Sequence, residues 1–513
     1  MRLNPRLSSA FAAQTQTSQT EPPAPVTPQR VKATTPATLK PATLSTPAAT
    51  ETYTAKRGET IPTIARQYLK RTSYLTSTEL SEAIRQTNGN LSANTLKAGE
   101  QITIPGILPD PITEKTIPVP KDFEVRAIYL TGIMAASDHG IRIIRHWREV
   151  GGNAVVFDIK DSDGSVTIPF EHPLLGKHQV YIHDLPKFVH FLHSENMHAI
   201  ARIAIFRDER LVVTHPELAV HSKKTGQPWR ENGKLVWTDS SNPTVQDYNI
   251  ALAKSVAQSG ADEIQFDYVR FPAEGDQKDA TFVYQTKNDE SGSRNPEAGT
   301  RNPESGSRKA EAGSRPQRSD VITAFLKKAY AELHPTGVLL SLDVFGVMAW
   351  QRQADLSHTG QDIVGMAKYC DVLSPMIYPS HFFGMDNIDH PGDAPEHFIG
   401  ESMQRFELIT KGSGVVIRPW LQAFHWRTKT YSPEYIKIQV ATAKEKGGIG
   451  FLFWNAANDY SKPYEAMPEM KAADLKEGSR DKAKYFRGDE LSTTTVKASL
   501  TPEPTRTPVS PLY

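Results

Sequence analysis

A chain of 513 residues has room for two or three domains. Its 59 Lys and Arg balance 58 Asp and Glu, which excludes a global basic field for nucleic acid and an acidic tail. It has no long apolar run that would read as a membrane-spanning helix, and its single cysteine, Cys370, excludes an internal disulfide and any multi-cysteine metal site.

The N-terminus carries positive charge at Arg2 and Arg6, and Ala10-Phe-Ala-Ala13 has the small-residue character of a signal cleavage region, but the apolar segment between them is missing. Residues 1–50 are rich in Thr, Pro, Ala and Gln. They hold too few large apolar side chains to offset the entropy of ordering, so a disordered tether is expected. Residues 51–106 form a small module. Tyr53-Thr-Ala-Lys-Arg-Gly-Glu-Thr-Ile61 is a strand and a turn at Gly58. Thr60 caps a helix with Ile61, Ile64, Ala65 and Tyr68 on one face. A second helix covers Ser77 to Thr87, Asn88-Gly89 turns the chain, and Leu96 to Pro105 closes with a strand. The order is β-α-α-β.

These residues resemble the LysM family at Tyr53, Arg57 to Thr60, Ile64-Ala65, Asn88, Leu96, Gly99, Gln101-Ile102 and Ile104-Pro105. The segment Lys70 to Leu75 between the helices is longer than usual. LysM domains bind glycans that contain N-acetylglucosamine, such as peptidoglycan and chitin. The resemblance implies a shallow groove near Gly58, Glu59, Thr60 and Ile61 and near Asn88. It also implies a place outside the cytoplasm, so an exported protein of the cell envelope or the extracellular space is expected.

Residues 107–122 form a linker stiffened by four prolines. From Phe123 strands and helices alternate to about residue 475. The predicted strands are Val125–Gly132, Ala154–Lys160, Ala199–Phe206, Glu263–Phe271, Val338–Gly346, Val372–Tyr378, Val415–Phe424 and Ile449–Asn455. They are short and apolar through their length, as strands buried on both faces are. Predicted helices include Ile141–Val150, Leu185–Glu195, Val245–Gln258, Val321–Leu333, Phe398–Ile409 and Pro433–Lys446. Eight alternations give an α/β fold, a (β/α)₈ TIM barrel. A doubly wound sheet is disfavoured, because Leu130-Thr-Gly-Ile-Met lacks a Gly-rich phosphate loop. A heptad-spaced Glu-x-Gly-x-Arg repeat within 285–318 carries no apolar position and is a solvated insertion. Residues 476–513 are a disordered tail.

In such barrels the site lies at the C-terminal ends of the strands. There the sequence places Asp158, Lys160 and Asp161; Arg202; Asp267 and Arg270; Asp343; Met376, Tyr378 and His381; Arg418, Trp420 and Gln422; and Trp454 and Asn455. Asp267 stands in an apolar strand, where a carboxylate is costly unless paired or used. Asp267 and Asp343 on neighbouring strands suit glycosidic cleavage, one as general acid and the other as nucleophile or base. Trp420, Trp454 and Tyr378 offer flat faces to sugar rings, Arg202 and Arg270 can hold a carboxylate ionised, and Asp158 and Gln422 join them as sugar-positioning candidates. Structural readings stand beside these: an Asp267–Arg270 strand-closing pair, an Asp158–Lys160 pair, and Trp454 as a barrel plug. No metal site or cofactor is expected, since His381 and His425 lack ligand spacing.

The stretches Val125 to Thr131, Asn153 to Asp161, Ile264 to Pro272, Ser374 to His381 and Pro419 to Phe424 resemble a bacterial glycoside hydrolase family. That family was first named only as a domain of unknown function and is distantly similar to α-amylase-like barrels. The resemblance implies a nucleophile at Asp267. Those barrels usually carry Glu as the acid on strand five, where this chain has Asp343. The expected substrate is an oligo- or polysaccharide, and the expected partner of the small module is peptidoglycan or a related glycan. The competing reading is a glycan-binding or scaffold protein without catalysis, for which the two carboxylates would point apart or lie well beyond roughly 10 Å from each other.

Overall fold

The computed structural model describes residues 49–91, 96–286 and 316–477. Most of the tether, the insertion and the tail lie outside the described residues.

The small module is β1 (Ala49–Thr54), α1 (Ile61–Tyr68), α2 (Ser77–Thr87) and β2 (Gln101–Ile107). Its strands pair antiparallel. Both helices start on a threonine whose hydroxyl accepts an otherwise orphaned amide: Thr60 from Thr63 and Thr76 from Glu79. Ile61, Ile64, Ala65, Leu80, Ile84, Ile102 and Ile104 form the core. The Asn88 side chain donates to the Ile84 and Thr103 carbonyls and accepts from Thr103 N, which ties the end of α2 to β2.

The linker is not a free spacer. Thr116 Oγ1 donates to the Ala261 carbonyl at 2.8 Å, and Ile117 N to Asp262 Oδ1 at 2.7 Å. Glu114 meets His190 at 2.6 Å. Gly260 has φ +93°, and a Cβ there would stand 2.8 Å from the Glu114 carbonyl carbon. So glycine both makes that turn and lets the linker approach. The module itself touches the barrel helices through Thr76–Asp138, Glu79–Arg145 and the bond from Lys187 Nζ to the Leu69 carbonyl.

The barrel strands are β3 (Val125–Leu130), β4 (Ala154–Lys160), β5 (His198–Ala204), β6 (Glu263–Asp267), β7 (Leu339–Phe345), β8 (Val372–Ile377), β9 in two pieces (Val416–Ile417 and Trp420–Gln422) and β10 (Gly450–Trp454). Each pairs parallel with the next, and β10 pairs with β3, so the sheet closes into an eight-stranded barrel. The main outer helices are α3 (Asp138–Glu149), α4 (Leu185–Ser194), α5 (Pro243–Gln258), α6 (Arg318–Leu333), α7 (Pro395–Thr410) and α8 (Pro433–Glu445). Among the described residues no helix is long and apolar enough to cross a membrane.

Two strands differ from expectation. β6 stops at Asp267 rather than Phe271, because Tyr268 turns into the left-handed region at φ +54°. β9 breaks at Arg418-Pro419, where proline has no amide to give the ladder. The break also corrects the place of Arg418. It is fully buried and forms an ion pair with Glu263 at 2.8 Å, beside His198. Glu263 begins β6, so this cluster belongs to the N-terminal end of the barrel, not the catalytic rim. Although burial opposes its charge, Arg418 and His198 hold the Glu263 carboxyl at about 2. Arg418→Met strands that carboxylate and is expected to cost about 3–5 kcal/mol, read as a lower urea midpoint with an unchanged slope.

Candidate active site

The inward side chains of the upper layer converge at the C-terminal ends of the strands. Leu342 on β7 is in register with Phe266 on β6, so Asp343 and Asp267, one residue further along each, are neighbours. Asp267 accepts from Arg202 Nε at 3.1 Å and Nη2 at 2.6 Å. Its other oxygen accepts from Tyr268 N at 2.6 Å, a bond that the left-handed turn at Tyr268 makes. A group that only accepts, from a guanidinium and an amide, has the contacts of an ionised carboxylate.

Asp343 is surrounded differently. It is 1 % exposed, and Trp420 Nε1 donates to its Oδ1 at 2.7 Å. Its Oδ2 stands 4.0 Å from Arg202 Nε. Burial and then the Asp267 charge push its carboxyl well above the ordinary range, against the pull of Arg202. Asp267 therefore has the contacts of a charged carboxylate, and Asp343 has surroundings that favour keeping its proton. Both oxygens are measured from the same Arg202 nitrogen, at 3.1 and 4.0 Å, so they lie no further apart than the sum, about 7 Å.

Arg202 also donates to Asp158 Oδ1 at 2.5 Å, and Tyr129 Oη donates to the other oxygen of Asp158. Burial, opposed by Arg202, raises the Asp158 carboxyl to about 7. Asp158 thus stands behind the arginine, and it does not line the cavity. Its partner is not Lys160, which pairs with Asp208 at 2.7 Å. Nor is Arg270 the partner of Asp267: its guanidinium lies against the rings of Trp237 and Phe345, 4.6 and 4.5 Å from their centroids.

A cavity of about 170 Å³ opens over the two carboxyls. Arg202, Arg270, Tyr378, Trp420 and Trp454 line it with Asp267 and Asp343. Trp454 stacks on Tyr129 with centroids 4.1 Å apart, so it is a wall of the cavity rather than a plug beneath it. Gln422 does not reach the cavity. It accepts from Ser380 N and donates to the Phe424 and Trp426 carbonyls, which shapes the neighbouring loops. In the small module the Ile61 side chain is fully buried and Asn88 is spent on the fold; Gly58, Glu59 and Thr60 remain at the surface turn. The reading by residue type did not single out Tyr129, which lines the cavity and bonds Asp158. Its signal was a tyrosine near the end of the first barrel strand.

The closed sheet of eight parallel strands defines the class of fold, a (β/α)₈ barrel. Residues 127–460 match the family model described as "Putative glycosyl hydrolase domain", and the chain belongs to that family. Residues 53–105 match the LysM domain model. No curated protein matches the chain. Among solved structures, a hypothetical protein from Ruminiclostridium thermocellum ATCC 27405 is 31% identical, with 42% of this chain and 97% of that one covered and a TM-score of 0.33. The glycoside hydrolase domain of PgaB (BpsB) from Bordetella bronchiseptica is 12% identical, with 67% and 98% covered and a TM-score of 0.46. The spore cortex-lytic enzyme SleL from Bacillus megaterium QM B1551 is 12% identical, with 81% and 85% covered and a TM-score of 0.37.

Proposed function

We propose that this protein is an exported, wall-associated glycoside hydrolase that cleaves glycosidic bonds with Asp267 as nucleophile and Asp343 as general acid. The observation that carries this reading is the unlike surroundings of two adjacent carboxyls, one held by Arg202 and Tyr268 N, the other buried against Trp420, where burial and the Asp267 charge oppose its ionisation. Environments that separate two carboxyls in this way assign an acid and its partner. Asp343 gives its proton to the leaving oxygen while Asp267 forms a bond to the anomeric carbon. Water then attacks that carbon, Asp343 takes the water's proton, and Asp267 leaves. The bound of about 7 Å and the adjacency of the two strands favour this retaining course, for which separations of about 5–5.5 Å are usual. They also speak against the scaffold reading. The LysM module, with Gly58, Glu59 and Thr60 at its surface turn as the candidate groove, would hold the enzyme on a glycan containing N-acetylglucosamine and raise the local substrate concentration.

The test is reducing-end release by the full chain on peptidoglycan fragments, chitin, and α- and β-glucans. Release by the wild type is expected on at least one of these and not by the Asp267→Asn/Asp343→Asn double variant, with both folded by circular dichroism. Equal release by both proteins would remove the pair from catalysis. Glycan retention without release would favour the binding protein.

A further inference from the structure

The rim of the cavity is divided. Its aromatic side, Tyr129, Tyr378, Trp420, Phe424 and Trp454, comes from β8, β9, β10 and β3; its charged side comes from β4 to β7. On the charged side Arg202 is spent on Asp158 and Asp267. Arg270 is not spent. It is 3 % exposed, and among the described residues its side chain makes one hydrogen bond, from Nη1 to the Phe271 carbonyl at 3.1 Å. Among the described residues no carboxylate oxygen comes within 4.0 Å of its guanidinium.

Glu231 and Asp267 attract the charge of Arg270 from beyond ion-pair distance, and Arg207 adds a second cation beside it. Arg207 donates to Tyr268 Oη, and the guanidiniums of Arg207 and Arg270 lie 5.3 and 5.5 Å from the centroid of the Tyr268 ring. The acid of this region, Glu231, already accepts from Ala273 N, Glu274 N and Trp237 Nε1. Asp161 also lines the cavity, but from the end of β4, with Oδ1 held by Ser162 N. A buried guanidinium with no carboxylate in direct contact is costly. Packed between aromatic rings it is fixed in place, and its free N–H fork suits a planar carboxylate.

We infer that Arg270 is a specificity residue for an anionic substituent, in the first instance a carboxylate, on the sugar bound beside Asp267 and Asp343. The inference rests on the hydrolase reading for the place of the sugar, and it makes the preferred substrate an acidic glycan rather than a neutral one.

Two matched probe pairs test it on the full chain: alternating N-acetylglucosamine–N-acetylmuramic acid oligosaccharides against chitin oligosaccharides of equal length, and oligogalacturonides against their carboxyl-reduced forms. A charge-assisted hydrogen bond of about 1.5–3 kcal/mol predicts roughly a 10- to 150-fold preference in kcat/KM for the acidic member of the fitting pair. Arg270→Met is expected to collapse that ratio to near one, and Arg270→Lys to restore part of it. A wild type that treats both members of each pair alike, or prefers the neutral one, overturns the inference while leaving the hydrolase reading intact. Calorimetric binding to the Asp267→Asn variant, with and without Arg270→Met, separates the two readings. Salt-sensitive binding of an acidic probe that is lost with Arg270, with no turnover by the wild type, keeps this inference and sinks the hydrolase. No Arg270-dependent binding of any probe overturns it.

Discussion

Asp267→Asn is expected to lower kcat on the best substrate by on the order of 10³-fold or more, with KM little changed. The amide matches the carboxylate in size and keeps an oxygen for Arg202, so the site keeps its shape and loses the charge that attacks carbon. Asp343→Asn is expected to fail differently. It removes the proton donor, worth about 10²–10⁴-fold, and that loss depends on the leaving group. Aryl glycosides with acidic phenols need no protonation, so Asp343→Asn should keep most of kcat/KM on them, though its kcat falls because the second step has lost its base, while Asp267→Asn keeps neither. The wild type should also show an alkaline limb in kcat/KM from the raised Asp343 carboxyl, absent in Asp343→Asn. Equal losses for both variants on good and poor leaving groups would mean that Asp343 is not the acid.

Arg202→Met is the second large effect. It leaves Asp158 and Asp267 without their shared cation, and a broken buried pair costs about 3–5 kcal/mol. The deficit is expected to depend on pH. Asp158 sits at about 7 in the folded protein, above its ordinary 3.8. A carboxyl raised on folding contributes stability that is complete below about pH 4 and is lost as pH rises through 7. Without Arg202 the Asp158 carboxyl rises further, so the variant falls further behind the wild type at pH 8 than at pH 5. Glu263, held at about 2, works in the other direction: its contribution is present above about pH 4.5 and is lost as pH falls toward 2. The wild type should therefore be most stable near pH 4–5, and urea midpoints across pH 3–8 would show it. A deficit of equal size at pH 5 and pH 8 would exclude Asp158 as the group left behind.

The sequence made the eight-strand barrel readable because each strand is a short apolar run bounded by turn residues and followed by an amphipathic helix. It made Asp267 and Asp343 readable because a carboxylate inside such a run stands out. It offered both Arg202 and Arg270 as partners for the carboxylate and did not choose between them. Arg270 is three residues from Asp267, yet Asp267 is held by Arg202 from the neighbouring strand. Chain proximity was the wrong guide because Tyr268 turns the backbone at φ +54° and carries Arg270 away from the strand. Arg418 misled in the same way: a strand that breaks at proline no longer counts evenly toward the rim, and the residue before the break faces Glu263 at the other end. Gln422 was placed on the rim as a polar residue near the end of its strand, but its amide is drawn outward to three loop backbone groups.

The grip of the linker on the base of the barrel bears on where the catalytic unit can be severed. Residues 107–122 read as a spacer to be discarded, and a cut at residue 120 looks harmless in the sequence. It would take the Ile117 amide from Asp262, the Thr116 hydroxyl from Ala261 and the Glu114 carboxylate from His190. Asp262 leads directly into β6, at whose far end stands Asp267. An excised barrel needs its own doorstep: a working fragment must begin upstream of Glu114, and any transplant of another anchoring module onto this enzyme must bring the native strap along.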